Sequence, residues 1–271
     1  MNQSYMKIIS CTLIALLAFA GNSVLCRLAL GENLIDAASF TVFRLFSGIV
    51  ILLLILAIKT KVSRKNNQIK TTGSWLAASM LFIYAICFSF GYITLDTGVG
   101  ALVLFSSVQI SMLIVNVVKG NKLHYSEWLG LVISFIGFIY LILPTLSTPS
   151  ISGVILMILS GIAWAFYTLS GRNSQNPLSD TAYNFLRTLP FLLIVLGLSF
   201  KDAHFTNQGI LLAVLSGALA SGLGYTIWYI ALNGLRVSQA AVVQLCVPII
   251  AAIGGVIFAN ELLTQRLVIS S

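Results

Sequence analysis

Apolar residues along the chain form runs of about 20 positions, which are separated by short segments rich in charge, Gly, Pro or Asn. A helix of that length, at 1.5 Å per residue, crosses the roughly 30 Å hydrocarbon core of a bilayer. Barrel strands are shorter and alternate apolar with polar residues, so the pattern predicts helices. We predict nine spans, near residues 7–29, 37–58, 74–95, 98–118, 127–143, 152–171, 181–200, 208–232 and 238–258.

The composition excludes a soluble protein. The chain has 271 residues, of which 58% are hydrophobic and only 8% are charged, whereas a soluble surface needs charge on roughly a quarter of all residues. The sequence therefore predicts an all-α integral membrane protein. At the C-terminus, "ANELLTQRLVISS" leads into a further apolar run, so we expect a tenth helix that is missing or truncated in this chain.

The net charge of +8 is interpreted as a topology signal rather than as a nucleic-acid site. With the N-terminus in the cytoplasm, the inner segments hold ten Lys and Arg residues, including the cluster from Lys59 to Lys70, and the outer segments hold three. This bias predicts a cytoplasmic N-terminus, and nucleic acid is not an expected partner.

An internal repeat organises the chain. A shift of 143 residues lays Arg44 on Arg187, and a shift of 137 lays "YITL" at 92–95 on "YIAL" at 229–232. The first repeat is residues 1–146, with five spans, and the second is residues 147–271, with four spans and the start of a fifth. Because five is an odd number, the two copies enter the membrane from opposite sides. This inverted-topology arrangement is common in secondary transporters.

Five segments of the chain resemble one transporter family: "FTVFRLFSG", "YNFLRTLPF", "GYITLDTGVGALVLF", "WYIALNGLRVSQAAVVQLCVPII" and "FANELLT". In this order they resemble the EamA-type, ten-helix proteins of the drug/metabolite transporter superfamily. The resemblance implies metabolite export across a bacterial inner membrane, with the first four helices of each repeat around a central path. The first repeat departs from the family pattern, since it carries Gln109 where such repeats have Pro and Lys122 where they have Glu.

No catalytic or cofactor motif is found in the sequence. Nucleotide-binding, serine-hydrolase and zinc-protease motifs are absent, and the four cysteines lack metal-ligand spacing. We therefore expect no enzyme activity, no metal and no cofactor. The acidic residues lie at predicted span ends or in loops, whereas proton-coupled carriers usually bury a carboxylate within the membrane. This weakens the case for a proton-antiport mechanism without excluding it.

An arginine within an apolar run is costly, so Arg44 and Arg187 are the first site candidates. Each lies about seven residues into its span, roughly 10 Å below its own surface, so the two are predicted at mirrored depths. One interpretation is that both side chains reach back to lipid headgroups. The other is that each guanidinium lies at a mouth of the path and binds carbonyls or a carboxylate there.

Intramembrane amides and aromatic side chains complete the candidate site. The predicted substrate path consists of Arg44, Arg187, Asn22, Trp164, Tyr84, Gln109, Tyr225 and Gln244. The alternatives for the aromatic and amide side chains are interfacial anchoring and bonds between helices. The small residues of "SGALASGLGY" indicate close helix packing, or a hinge with Gly222 and Gly224 at the bend. Pro248 is a further hinge or packing candidate.

We interpret the protein as a secondary transporter that exports small polar metabolites such as amino acids by alternating access. The alternative is a membrane sensor or scaffold that retains the fold without transporting. The expected partners are a small-molecule substrate and the lipid bilayer. The sequence leaves the oligomeric state open.

Overall fold

The computed structural model describes residues 3–62, 73–120 and 150–262, together with isolated positions between 125 and 140 and at 265 and 269. The helices are α1 (Gln3–Gly31), α2 (Ala37–Val62), α3 (Trp75–Gly91), α4 (Thr97–Val118), α5 (Ile151–Gly171), α6 (Pro177–Leu186), α7 (Leu189–Ser199), α8 (Asn207–Leu215), α9 (Gly224–Leu232), α10 (Val237–Val243) and α11 (Cys246–Phe258). A 3-10 turn, Phe200–Asp202, follows α7, and a π-helical segment, Ser216–Leu223, joins α8 to α9.

The expectation of an all-α membrane protein is confirmed. Over the described ranges, seven helical segments are long and apolar enough to cross a membrane, and α3 is a shorter apolar helix of 17 residues. Together they match eight of the nine predicted spans. The predicted span 127–143 and the predicted start of a tenth span lie outside the continuously described residues. The predicted span 74–95 is too long at its end, because α3 stops at Gly91.

The distribution of side chains is typical of a protein whose solvent is lipid. Large apolar side chains such as Leu13, Phe46, Leu54 and Leu193 are exposed, whereas Asn22, Arg44 and Gln109 are buried inside the bundle. In a bilayer, apolar surface gains nothing from burial, and polar groups must find partners within the protein. The polar side chains in the interior therefore need partners within the bundle, and a functional site is expected among them.

Two predicted spans are broken into paired helices by prolines. The span 181–200 begins earlier than predicted and consists of α6 and α7, which meet just before Pro190. The span 238–258 consists of α10 and α11, which meet just before Pro248. Proline has no N–H to donate to the preceding turn, which accounts for both breaks. By contrast, α1, α2 and α4 run without interruption.

The bundle has two ends, each held by contacts between distant loops. At one end, Ile35 and Phe205 form an isolated antiparallel bridge, and Arg27 lies close by at the end of α1. We call this the Arg27 end. At the other, the Gly73 N–H donates to Asp180 Oδ1 and the Ser74 N–H to Asn184 Oδ1, over 3.1 and 2.9 Å. We call this the Gly73 end.

Candidate functional site

A fully buried arginine lies at the centre of the candidate site. Arg44 projects from α2, and its Nε donates to Ser221 Oγ over 3.1 Å. Its Nη2 donates to the phenol oxygens of Tyr84 and Tyr225, over 3.0 and 2.7 Å. The remaining nitrogen, Nη1, has no hydrogen-bond partner in the described part of the chain. The guanidinium thus lies inside the bundle and does not reach lipid headgroups.

Asn22 on α1 binds the same two phenols from the other side. Its Nδ2 donates to Tyr84 over 3.0 Å and to Tyr225 over 3.5 Å, and its Oδ1 accepts a bond from Ser216 at 2.5 Å. The hydroxyl of Tyr225 also donates to that of Tyr84 over 2.9 Å. Five helical elements, α1, α2, α3, the π-helical segment and α9, therefore converge on one hydrogen-bond network.

Aromatic rings enclose this network. The rings of Trp164 and Tyr225 lie 4.6 Å apart between centroids, and those of Tyr84 and Trp164 lie 4.8 Å apart. Phe19 packs edge-on against Trp164 at 5.1 Å. The guanidinium carbon of Arg44 lies 4.8 Å from the centroid of Phe88, close enough for a cation–π contact. The walls are therefore apolar, and the polar groups are few and fixed in place.

Among the described residues, no carboxylate balances the charge on Arg44. Both ion pairs among the described residues belong to Arg27, and the partners of Arg44 are hydroxyl groups and ring faces. Arginine stays protonated in proteins, and a buried charge without a counter-ion costs several kcal/mol by typical estimates. Such a site is chemically suited to an anionic group, and Nη1 is the donor left for it.

Gln244 lies at the break between α10 and α11 and holds Trp164. The indole Nε1 donates to Gln244 Oε1 over 2.7 Å, and Gln244 Nε2 donates to the Ala240 carbonyl over 2.8 Å. Gln109 on α4 is also buried, but its Oε1 has no partner in the described chain. The two glutamines thus differ: one fixes a ring of the site, and the other keeps an unused acceptor.

The structure does not bring Arg187 to Arg44. Arg187 is half-buried at the break between α6 and α7, where its Nη1 donates to the Tyr183 carbonyl over 3.3 Å. A Cβ placed on Gly73 would lie only 2.9 Å from that Nη1, so Arg187 belongs to the Gly73 end. The two arginines therefore have unlike surroundings, although the repeat predicts mirrored positions for them.

The small residues predicted as a packing or hinge surface form the π-helical segment Ser216–Leu223. A Cβ on Gly217 would lie 1.9 Å from the Arg44 carbonyl oxygen, so this segment touches the backbone of α2. Gly222 packs near Ile51 and Leu52, and Gly224 packs against Ala18. Close packing is thus observed at these glycines, while a hinge role for Gly222, Gly224 and Pro248 stays a prediction.

Ser216 and Ser221 are site residues that the sequence reasoning missed. In an α-helix, residues five apart point in clearly different directions, so the two serines do not mark one face. A π-helix, with its i→i+5 hydrogen bonds, places residues five apart nearly above one another. Ser216 and Ser221 therefore both face the site: Ser216 donates to Asn22, and Ser221 accepts from Arg44. The one available signal was the density of small residues, which says nothing about π geometry.

Comparisons with known proteins agree with this architecture. The EamA-like transporter family matches residues 151–271 of the chain. An uncharacterized protein of Pseudomonas aeruginosa is 45% identical over 256 residues, which cover 94% of this chain and 88% of that protein. An uncharacterized transporter of Archaeoglobus fulgidus is 26% identical, covering 92% of this chain and 88% of the transporter. The uncharacterized transporter YoaV of Bacillus subtilis is 22% identical, covering 86% and 82%.

One solved crystal structure shares the fold, with a TM-score of 0.70 at 16% identity over 96% of this chain and 93% of the other. At that identity the likeness is evidence for the arrangement of helices alone. The sequence relatives carry the functional class, since two of them are named as transporters. The chain therefore belongs to the EamA-like transporters of the drug/metabolite transporter superfamily, and it is a multi-pass membrane transporter.

Proposed function

We propose that the protein is a secondary transporter that exports small polar metabolites, such as amino acids, by alternating access. The observation that carries this proposal is the unbalanced charge of Arg44, buried at the centre of the bundle with Nη1 unpartnered among the described residues. A substrate carboxylate is the exchangeable counter-ion that this guanidinium lacks. The planar fork of arginine favours carboxylates because it can donate two parallel bonds.

The remainder of the site fits a small zwitterion or aromatic metabolite. The rings of Trp164, Tyr84 and Tyr225 offer apolar surface with a polar edge. On this proposal, the buried Oε1 of Gln109, which has no partner among the described residues, accepts an N–H of the substrate. Within the described ranges, no carboxylate lies beside Arg44 to compete with a bound anion. Arg187, on this proposal, lines the path at the Gly73 end.

The residues of the candidate site are buried in this structure. A transporter that works by alternating access is expected to pass through such a closed form. Arg44, Asn22, Tyr84, Trp164 and Tyr225 are each at most 4% exposed. Release to either side needs one end of the bundle to open while the other stays shut. The Gly73 end carries Lys59, Lys61, Lys119, Arg172 and Arg236, so we infer that it is cytoplasmic and that the protein resides in the inner membrane.

Counterflow in proteoliposomes tests this function. Vesicles preloaded with one unlabelled amino acid are diluted into the same labelled amino acid, and the panel is repeated for each. We expect labelled substrate to accumulate transiently with the wild type. Arg44→Lys keeps the charge but loses the fork, so it should lower counterflow at least about tenfold, the effect of roughly 1.4 kcal/mol. Arg187→Lys is expected to lower it as well.

Arg236→Lys is the matched control, because Arg236 is an exposed arginine at the Gly73 end that is outside the site. It should transport at the wild-type rate. Wild-type rates for Arg44→Lys would refute the role of the guanidinium. Absence of flux for the whole panel, with folded protein verified, would favour a non-transporting sensor or scaffold. Comparing inside-out with right-side-out vesicles assigns export or uptake.

A further inference from the structure

A second polar cluster, which is only partly buried, lies at the Arg27 end. Arg27, near the end of α1, donates from Nε to Glu261 Oε1 over 3.1 Å and from Nη2 to Asp96 Oδ1 over 3.2 Å. Its Nη1 donates to the Tyr92 carbonyl over 3.3 Å. Each of the three guanidinium nitrogens of Arg27 therefore has an acceptor, whereas Nη1 of Arg44 has none among the described residues.

Among the described carboxylates of this end, Glu261 accepts the most hydrogen bonds. Besides the bond from Arg27, it accepts the Thr97 N–H on both oxygens, at 2.9 and 3.0 Å, and the Thr97 hydroxyl at 3.0 Å. The Glu261 side chain is only 12% exposed. Thr97 is the first residue of α4, where the free N–H groups of a helix favour an anion. These bonds tie α1, the start of α4 and the segment after α11 to one another.

A continuous row of contacts connects this cluster with the candidate site. The guanidinium of Arg44 lies over Phe88, whose ring packs edge-on against Tyr92 at 4.7 Å between centroids. The Tyr92 carbonyl then accepts the bond from Arg27. Contacts therefore run without a gap from the guanidinium of Arg44 to that of Arg27. Cys26, which precedes Arg27 in α1, is fully buried.

We propose that Arg27, Glu261 and Thr97 form a latch that shuts the exit from the Arg44 site at the Arg27 end. Opening breaks the bonds of Glu261 to α1 and to α4 together, so that the end of α11 moves away from both helices. The inference rests on the proposed function, since a latch matters only where a ligand passes. It assigns to Glu261 and Arg27 a gating role that the candidate site itself does not include.

The buried thiol of Cys26 is a natural reporter for the latch. A protein that keeps Cys26 and carries Cys11→Ser, Cys87→Ser and Cys246→Ser is placed in lipid nanodiscs. It is then treated with a small anionic methanethiosulfonate reagent. A buried thiol reacts slowly, because the reagent attacks the solvated thiolate. The wild-type latch should therefore protect Cys26.

Glu261→Gln removes the negative charge and leaves the side-chain size unchanged. We expect the rate of Cys26 modification to rise at least about tenfold, because bonds to a charged acceptor are roughly twice as strong as neutral ones. Arg27→Lys should give the same direction, since a single ammonium cannot reach Glu261, Asp96 and the Tyr92 carbonyl in the geometry of the fork. This second variant decides the matter if Glu261→Gln does not yield folded protein.

Glu32→Gln is the matched control, as the same chemical change at an exposed glutamate of this end. It should leave the rate unchanged. A second reporter, Ala213→Cys on α8 in a background with Cys26→Ser as well, detects general loosening, because Ala213 is fully buried on a helix that carries no latch residue.

Modification of Cys26 at the wild-type rate in the latch variants would overturn the proposal, and so would equal acceleration at Ala213→Cys. Acceleration confined to Cys26 supports it. The assay needs no substrate, so a failure of counterflow with an intact latch response would reject the proposed function alone.

Discussion

Gly217 offers a way to disturb the Arg44 site without changing any group that lines it. A Cβ at this position would lie 1.9 Å from the Arg44 carbonyl oxygen and 2.1 Å from Ser47 Oγ. The serine side chain can rotate away, but the carbonyl belongs to the backbone of a continuous helix. Gly217→Ala must therefore push the π-helical segment Ser216–Leu223 away from α2.

The size of that displacement follows from the structure. Real Cβ contacts are essentially never below 3.0 Å, so the two elements must separate by more than about 1 Å. The same segment carries Ser221, which accepts from Arg44 Nε at 3.1 Å, and leads to Tyr225, which accepts from Nη2 at 2.7 Å. A shift of that size takes the first bond beyond hydrogen-bond range and strains the second. Overpacking costs typically about 1–3 kcal/mol, and a buried donor left unpaired costs about as much again.

We expect Gly217→Ala to lower the melting temperature in detergent by several degrees, since about 1 kcal/mol corresponds to roughly 2–4 °C in a chain of this size. Amino-acid counterflow should fall at least about tenfold, because an error of about 1 Å in placing a binding group is costly. The control is Gly21→Ala, at a glycine within α1 where an added Cβ would meet no atom within 4 Å. Equal melting temperatures and equal counterflow for the two variants would refute the argument that this close approach positions Ser221 for Arg44.

Three further predictions concern other parts of the molecule. Gln244→Leu removes the acceptor of the Trp164 indole N–H, so thermal unfolding should show a loss of about 1–3 kcal/mol, whereas Gln208→Leu, at an exposed position of α8, should change little. At Asp36, partial burial raises the pKa of the carboxyl, but bonds from Ser39 and His204 outweigh it and hold the pKa below its usual range. The stabilisation of the folded state by the Asp36 carboxylate is present at neutral pH and is lost as the pH falls through the lowered pKa. Below about pH 4, the melting temperature of the wild type should therefore fall more steeply than that of Asp36→Asn. Parallel plots of melting temperature against pH for the two proteins would contradict this. Hydrogen exchange should be faster in Ser216–Leu223 than in α4, and equal protection of the two would count against a mobile π-helical segment.

The positions of the helices were predictable because lipid imposes a simple rule on sequence. An apolar run must be as long as the bilayer is thick, so the predicted spans 98–118 and 152–171 agree closely with α4 and α5. Candidate site residues could also be chosen by chemistry, since a polar side chain inside such a run is costly unless it has a partner. Asn22, Arg44, Tyr84 and Tyr225 were chosen in this way, and the structure joins them in one network.

The partners themselves could not be predicted. Ser221 is 177 residues from Arg44 in sequence, and its orientation depends on π geometry that small residues permit without requiring. The pairing of Arg27 with Glu261, 234 residues away, depends on which helix ends meet. Periodicity and composition describe one helix at a time, so contacts between helices of an apolar bundle leave little trace in either.

The unlike surroundings of the two arginines follow from proline placement. In α2, the residues after Arg44 continue an unbroken helix, and the side chain lies within the bundle. Three residues after Arg187 stands Pro190, which ends hydrogen bonding to the preceding turn and leaves Arg187 at a helix break. The break next to Pro248 and the π-helical segment belong to the same half of the chain. The interruptions found in the described long spans therefore all fall after residue 147, whereas α1, α2 and α4 are continuous. Since breaks lower the cost of bending, we infer that the interrupted spans 177–202, 207–232 and 237–258 move against the continuous helices, and that Arg44 is carried on the part that stays still.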